Sequence, residues 1–231
     1  MATLTQIASY IDHTLLRPTT THIEIKKICE EALLYEFAAV CVPPPLVPRA
    51  KALLAGAPVK VATVIGFPFG YSVIKAKLAE AEQAISDGAD ELDMVINLIA
   101  LKDGDWEYLE KEAAAIMGPA HANGKIVKVI IESGVLTGEE IVLCCKLYGG
   151  LGADFVKTST GYAEKGASVS DVRMMRGQLP PSVRIKASGG IRNYDFAMEL
   201  IGAGADRLGC SASVEIVKGE RASRGELGAG G

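Results

Sequence analysis

DGADELDMV (87–95), LGADFVKT (151–158) and AGADRLGCS (203–211) are three versions of one junction. In each, a glycine closes a stretch of helical period, Ala-Asp follows, and a short run of strand character begins. Glycine adopts the left-handed backbone that ends a helix without steric cost, so one turn from helix into strand is used three times. Reuse of this kind points to a chain assembled by repeating strand and helix, which is the pattern of a parallel sheet with crossover helices.

Outward from these junctions the alternation continues. Runs of strand character lie at 10–14, 38–42, 60–66, 91–97, 126–133, 154–160, 184–190 and 206–212. Helical stretches fall between them at 20–36, 46–55, 72–87, 105–122, 137–150, 168–178 and 193–203, with another after Ser213. Eight strands with recurring junctions predict an α/β chain closed as a single (β/α)8 TIM barrel over residues 1–218. An open doubly wound sheet would place a glycine-rich turn after its first strand, where this chain has IDHTLLRP (11–18). Asp12 and His13 make that first strand the least regular of the eight. The closing GERASRGELGAGG (219–231) is small, polar and glycine-rich, and is expected to be a flexible tail.

With 231 residues, 49% of them hydrophobic, the chain can bury one large core. Its 24 basic and 28 acidic residues leave a net charge of −4 and no basic face to hold a nucleic-acid backbone. Five cysteines (Cys29, Cys41, Cys144, Cys145, Cys210) are an odd number without CxxC spacing, which argues for a reducing, cytoplasmic compartment rather than a disulfide framework or zinc site. The N-terminal MATLTQIASYIDHTLL has no basic segment followed by a long apolar core, so neither export nor a membrane anchor is expected.

In such barrels the chemistry sits at the C-terminal ends of the strands. Polar residues there include Asp12, Thr14, Cys41, Asp93, Asn97, Glu132, Ser133, Lys157 to Thr160, Lys186 to Gly190 and Gly209 to Ser211. Lys157 and Lys186 on the sixth and seventh strands, with Asp93 on the fourth, point to one site. Two ammonium groups in a dry pocket disfavour each other's charge and free an amine to attack a carbonyl. The plainer reading is that the lysines are structural ion pairs, with Asp93 neutralising one of them and Lys128 another case of the same kind. Scattered His13, His22 and His121 suggest neither triad nor metal cluster, and Cys41 reads as a small buried hydrophobe. SGGIRN (188–193) and LGCSAS (208–213) each lead from a strand into a helix, and their glycine amides suit an anion. A tight turn explains either segment alone equally well.

IDHTLL, ELDMVIN, KVIIES, DFVKTSTG, IKASGGIR and RLGCS, in this order, resemble the deoxyribose-phosphate aldolase family over nearly the whole chain. The resemblance implies a class I, metal-independent aldolase that reversibly cleaves 2-deoxyribose 5-phosphate to acetaldehyde and glyceraldehyde 3-phosphate. It implies Lys157 as the Schiff-base lysine, Lys186 as the second lysine and Asp93 as the proton-relay carboxylate. It further implies Asp12, Thr14, Cys41 and Thr158 near the substrate, with Gly161, Gly189, Gly190, Ile191, Arg192, Gly209 and Ser211 around its phosphate. No cofactor is expected, and self-association as a dimer or tetramer is. Tyr162 stands where some relatives carry lysine, and Ser211-Ala212-Ser213 where they carry paired serines, so the phosphate contacts are expected to be fewer or differently supplied. The terminal tyrosine that some members use in proton transfer has no counterpart in the tail. Two other readings stay open: a Schiff-base barrel lyase acting on a different phosphorylated sugar, and a non-catalytic phosphosugar-binding barrel in which Lys157 only pairs Asp93.

Overall fold

The computed structural model describes residues 7–225. Strands β1 (Ile11–Thr14), β2 (Ala39–Val42), β3 (Lys60–Ile65), β4 (Glu91–Val95), β5 (Ile126–Ile130), β6 (Phe155–Lys157), β7 (Arg184–Ser188) and β8 (Arg207–Cys210) pair in chain order, all parallel, and β8 closes on β1. Around them run α1 (His22–Tyr35), α2 (Val47–Leu53), α3 (Ile74–Ser86), α4 (Leu98–Lys102), α5 (Trp106–Ala122), α6 (Gly138–Gly150), α7 (Val169–Gln178), α8 (Tyr194–Gly202) and α9 (Ser213–Ser223). The expected (β/α)8 barrel is therefore the fold, with every expected strand present and trimmed at its ends.

The recurring junction has one function in all three places. Gly88, Gly152 and Gly204 take φ of 98°, 74° and 114°. The next N–H then reaches back into the helix, Ala89 to Ala84 O at 2.9 Å and both Ala153 to Tyr148 O and Ala205 to Leu200 O at 3.0 Å, satisfying carbonyls the helix end would leave orphaned. The aspartate that follows accepts a backbone N–H from the preceding strand: Asp90 from Val61 and Asp154 from Val127 at 2.9 Å, Asp206 from Ile185 at 2.8 Å. Thus β4, β6 and β8 are each pinned at their N-terminal ends to β3, β5 and β7. The end of α1 makes the same turn with Glu36 at φ 57°, and the N–H of Phe37 reaches Ala32 O at 3.1 Å.

Several helix starts are closed by side chains. Thr21 with Glu24 and Thr137 with Glu140 form capping boxes on α1 and α6, each satisfying two backbone donors reciprocally. The expected strand at 91–97 ends instead at Val95, because Asn97 turns to cap the five-residue α4, accepting from the N–H groups of Ile99 and Ala100. A helix of that length has no period to detect. The expected tail boundary at residue 218 falls inside α9, which continues to Ser223 because Glu220 is buried and accepts the N–H of Ile7 at 3.2 Å. Residues 226–231 of that tail lie outside the described residues. Among the described residues, no helix is long and apolar enough to cross a membrane.

The two faces of the strands differ in kind. Val40, Val61, Leu92, Val127, Val156, Ile185 and Leu208 join the apolar layer beneath the helices. Inside the barrel, Ala39, Cys41, Ala62 and Val64 form a small separate apolar cluster. Titratable side chains, Asp12, Glu91, Asp93, Lys128, Lys157 and Lys186, fill much of the remainder, all buried. Phe155 has the Arg184 guanidinium 4.0 Å from its ring centroid, a favourable cation–π contact.

Candidate active site

Strand register brings the charges together. Asp93 lies beside Lys128 across β4 and β5, Lys157 beside Lys186 across β6 and β7, and Lys186 beside Arg207 across β7 and β8. Asp93 is the centre: its Oδ1 accepts from Lys128 at 2.7 Å, and its Oδ2 from Lys157 at 2.8 Å and Lys186 at 2.7 Å. A second carboxylate, Asp12, accepts from Lys186 at 2.5 Å and Arg207 at 2.6 Å. Lys128 also meets Glu91 at 2.6 Å. Each buried charge is thereby paired, as burial requires.

These neighbours pull the three lysines apart. Burial lowers the Lys157 pKa below its ordinary value and Lys186 lowers it further, against the opposing pull of Asp93. Burial also acts on Lys186, but Asp12 and Asp93 outweigh it and hold that ammonium well above its ordinary range. Lys128 is raised in the same way, burial being overcome by Asp93 and Glu91. Burial would raise the Asp93 carboxyl, yet Lys128, Lys157 and Lys186 together hold it well below the usual carboxylate range. Of the three amines around Asp93, Lys157 is the one whose pKa is lowered, the direction a nucleophilic amine needs.

Lys157 is also at the cavity. A pocket of about 650 Å³ at the C-terminal ends of the strands is lined by Thr14 to Arg17, Lys157, Thr160 to Tyr162, Ser188 to Arg192 and Gly209 to Ser211. Of the residues expected around a phosphate, Gly161, Gly189, Gly190, Ile191, Arg192, Gly209 and Ser211 all line it. Gly189 and Gly190 take φ of 88° and 79°, turning the chain sharply between β7 and α8. The first turn of α9 follows Ala212, whose side chain makes no capping bond, so its orphan N–H groups are left for another acceptor.

Placement differs from expectation for the substrate-side residues. Thr14 lines the cavity, but Asp12, Cys41 and Thr158 do not. Both carboxylate oxygens of Asp12 are held within the charge lattice below. Cys41 lies in the small apolar cluster, where burial pushes its thiol up to about 11. The Thr158 hydroxyl donates to Ser188 O at 3.3 Å and accepts from Ser188 N–H at 3.1 Å, stitching β6 to β7. Asp93 and Lys186 also lie beneath the cavity lining, touching Lys157 or its partner from behind.

Several participants escaped the sequence reading. Glu91 and Arg207 carried no signal, being charged residues at strand starts. Glu132 was visible as a polar strand end, but its part was not: it is buried at φ 55° and accepts from the N–H of Thr160 at 3.2 Å and from its hydroxyl. Burial raises its carboxyl pKa against those bonds. His13 faces outward, between Ser213 at 2.9 Å and Glu31 at 2.8 Å, and belongs to the packing of β1 against α1 and α9.

A parallel eight-stranded barrel with a buried lysine at the floor of a glycine-rimmed cavity is the architecture of barrel enzymes, whose chemistry sits at the C-terminal ends of the strands. Residues 6–215 match the DeoC/LacD family aldolases. The deoxyribose-phosphate aldolase of Thermococcus gammatolerans is 52% identical over 217 residues, 93% of this chain and 96% of that protein. That of Streptococcus gordonii is 51% identical over 219 residues, 94% of this chain and 98% of its own. Among solved structures, the deoxyribose phosphate aldolase of Aeropyrum pernix, described as a unique tetramer, superimposes with a TM-score of 0.88 at 34% identity, covering 94% of this chain and 92% of that one. The chain belongs to the DeoC/LacD family of aldolases and is a carbon–carbon lyase.

Proposed function

We propose that the protein is a class I aldolase that reversibly cleaves 2-deoxyribose 5-phosphate to acetaldehyde and glyceraldehyde 3-phosphate, with Lys157 as the Schiff-base lysine. The observation that carries this reading is the contrast among three buried lysines around one carboxylate: Lys157 alone is lowered and alone lines the cavity.

Neutral Lys157 adds through Nζ to the aldehyde carbon of the open-chain sugar, and loss of water from the carbinolamine gives an iminium. The iminium then accepts the electron pair of the bond between the second and third carbons as the hydroxyl on the third carbon loses its proton. Glyceraldehyde 3-phosphate departs, leaving an enamine. Protonation of the enamine and hydrolysis release acetaldehyde and restore the amine. Asp93, in contact with Nζ, relays the protons of these steps, through water where the distance requires it. Lys186 is a positioning residue: it orients Asp93 from behind, and its charge adds to burial in lowering the Lys157 pKa. Glycine amides after β7, with backbone amides at the end of β8 and the start of α9, hold the phosphate. No metal is needed, because the iminium is the electron sink.

Self-association and a cytoplasmic location complete the proposal. The first is supported by the tetrameric relative, the second by five cysteines that are all buried free thiols. The decisive test is intact and peptide mass analysis after borohydride reduction with acetaldehyde. One ethyl group should appear on Lys157, and only when acetaldehyde is present. A label on Lys186 or Lys128 overturns the assignment, and no label at all removes the Schiff base.

A further inference from the structure

The cavity is built from one arc of the barrel. Its walls come from the segments at the ends of β1, β6, β7 and β8, and among the described residues none from β2 to β5 or from the loops after them lines it. The boundary between the two halves of the mouth is Tyr162. Its phenol donates to the main-chain O of Leu16 at 3.0 Å, so a side chain rooted after β6 crosses to the segment after β1. The ring meets Phe67 edge-on, with centroids 5.4 Å apart and planes at 89°. Phe67 in turn packs on the cluster of Ala39, Cys41, Ala62 and Val64 that occupies the β2 and β3 side.

The root of the ring is fixed as firmly as its tip. Tyr162 N–H donates to Thr160 Oγ1 at 3.0 Å, and the Thr160 hydroxyl donates to Glu132. Glu132 holds a left-handed backbone at φ 55°, which a non-glycine residue keeps only where its surroundings determine it. One chain of hydrogen bonds thus runs from the end of β5 through Thr160 and Tyr162 to Leu16.

We propose that Tyr162 is a specificity-determining residue of the aldolase reaction: its ring walls the slot in which the acceptor aldehyde lies, and the bond to Leu16 sets how far that aldehyde can spread toward β2 to β5. The inference rests on the reading of Lys157 as the imine-forming amine. With acetaldehyde held as the enamine on Lys157 and the phosphate loops on the opposite side, the acceptor's carbon chain lies between them. Tyr162 is the large side chain that bounds this space laterally. Removing the ring joins the slot to the space beyond it. Tyr162→Phe keeps the ring against Phe67 and removes only the bond to Leu16.

The test is the ratio of kcat/KM for addition of acetaldehyde to benzaldehyde over that for propanal, measured in the wild type, Tyr162→Phe and Tyr162→Ala. Tyr162→Ala should raise the ratio about ten-fold or more, the scale on which apolar pocket walls discriminate. Tyr162→Phe should fall between the other two. A ratio in Tyr162→Ala that is unchanged or lower overturns the assignment, including the case in which both acceptors lose equally. Borohydride labelling of wild-type Lys157 separates this failure from that of the aldolase reading: absence of the label sinks the aldolase reading, whereas a labelled enzyme with an unmoved ratio sinks only the role of Tyr162.

Discussion

At the scale of single residues, the site depends on one carboxylate shared by three amines. Lys186 lowers the Lys157 pKa by repulsion, while Asp93 raises it by attraction and burial lowers it. Replacing Lys186 with glutamine removes the repulsion and frees Asp93 to act more strongly on Lys157, so both changes have the same sign. The Lys157 pKa must rise. In Lys186→Gln, the pH profile of imine formation with acetaldehyde should therefore move to higher pH, as read from borohydride trapping rates. A profile that stays in place or moves to lower pH would show that Lys186 does not set the protonation of Lys157. Trapping rates at a single pH cannot distinguish this from a general loss of structure, but the position of the profile can.

At the scale of elements, the loop after β7 and the strand β8 use glycine for different reasons. A Cβ on Gly190 meets nothing within 4 Å, so Gly190→Asp directs a carboxylate into open space at the cavity rim, with some backbone strain at φ 79°. It should raise KM for deoxyribose 5-phosphate at least ten-fold by repelling the phosphate, and affect acetaldehyde self-condensation much less, because that reaction has no phosphate. A Cβ on Gly209 would lie 2.9 Å from Ser188 Cβ and 3.1 Å from Lys186 Cε. Gly209→Ala should accordingly slow both reactions by shifting Lys186. Equal effects of the two substitutions on both reactions would merge the two segments into one function. The sequence showed both segments as anion-binding candidates because glycine before a helix is a local signal. It could not separate them, since the neighbour of Gly209 is a lysine on another strand. The same limit explains the rest. Helix–strand junctions and eight strands were legible because each is decided within a few residues. The Asp12 pairing with Lys186 and Arg207 spans most of the chain. The turn at Glu36 escaped notice because it lacks the glycine of its three counterparts, and Glu132 because a left-handed glutamate leaves no pattern.

At the scale of the whole molecule, this barrel holds ions where such barrels are commonly filled by branched apolar side chains, so its stability must depend on pH through the interior. Asp12 and Asp93 have folded pKa values held below their ordinary 3.8, burial being outweighed by the lysines, with Arg207 also acting on Asp12. Their contribution is therefore present above the unfolded pKa and is lost as pH falls through the folded one. Lys128 and Lys186 are raised above 10.5, so their contribution is present below that value and is lost as pH rises through the folded pKa. The lattice should give a broad plateau of stability between those limits, with an acid loss beginning near the ordinary carboxylate range. Lys128 is the informative position, because it pairs with Asp93 and Glu91 and lies beneath the cavity lining. Lys128→Met removes one cation from a buried set and should cost about 3–5 kcal/mol at neutral pH, the usual consequence of leaving a buried partner uncompensated. Asp93 also loses a cation that lowered it, so its folded pKa rises toward the unfolded value, and the acid-linked loss should be smaller than in the wild type and complete at higher pH. Denaturant midpoints measured across pH for the two proteins test both effects. A variant as stable as the wild type with an unmoved acid limb would mean that the interior ions are solvated independently of one another, and the barrel would then owe its closure to the apolar layer under the helices alone.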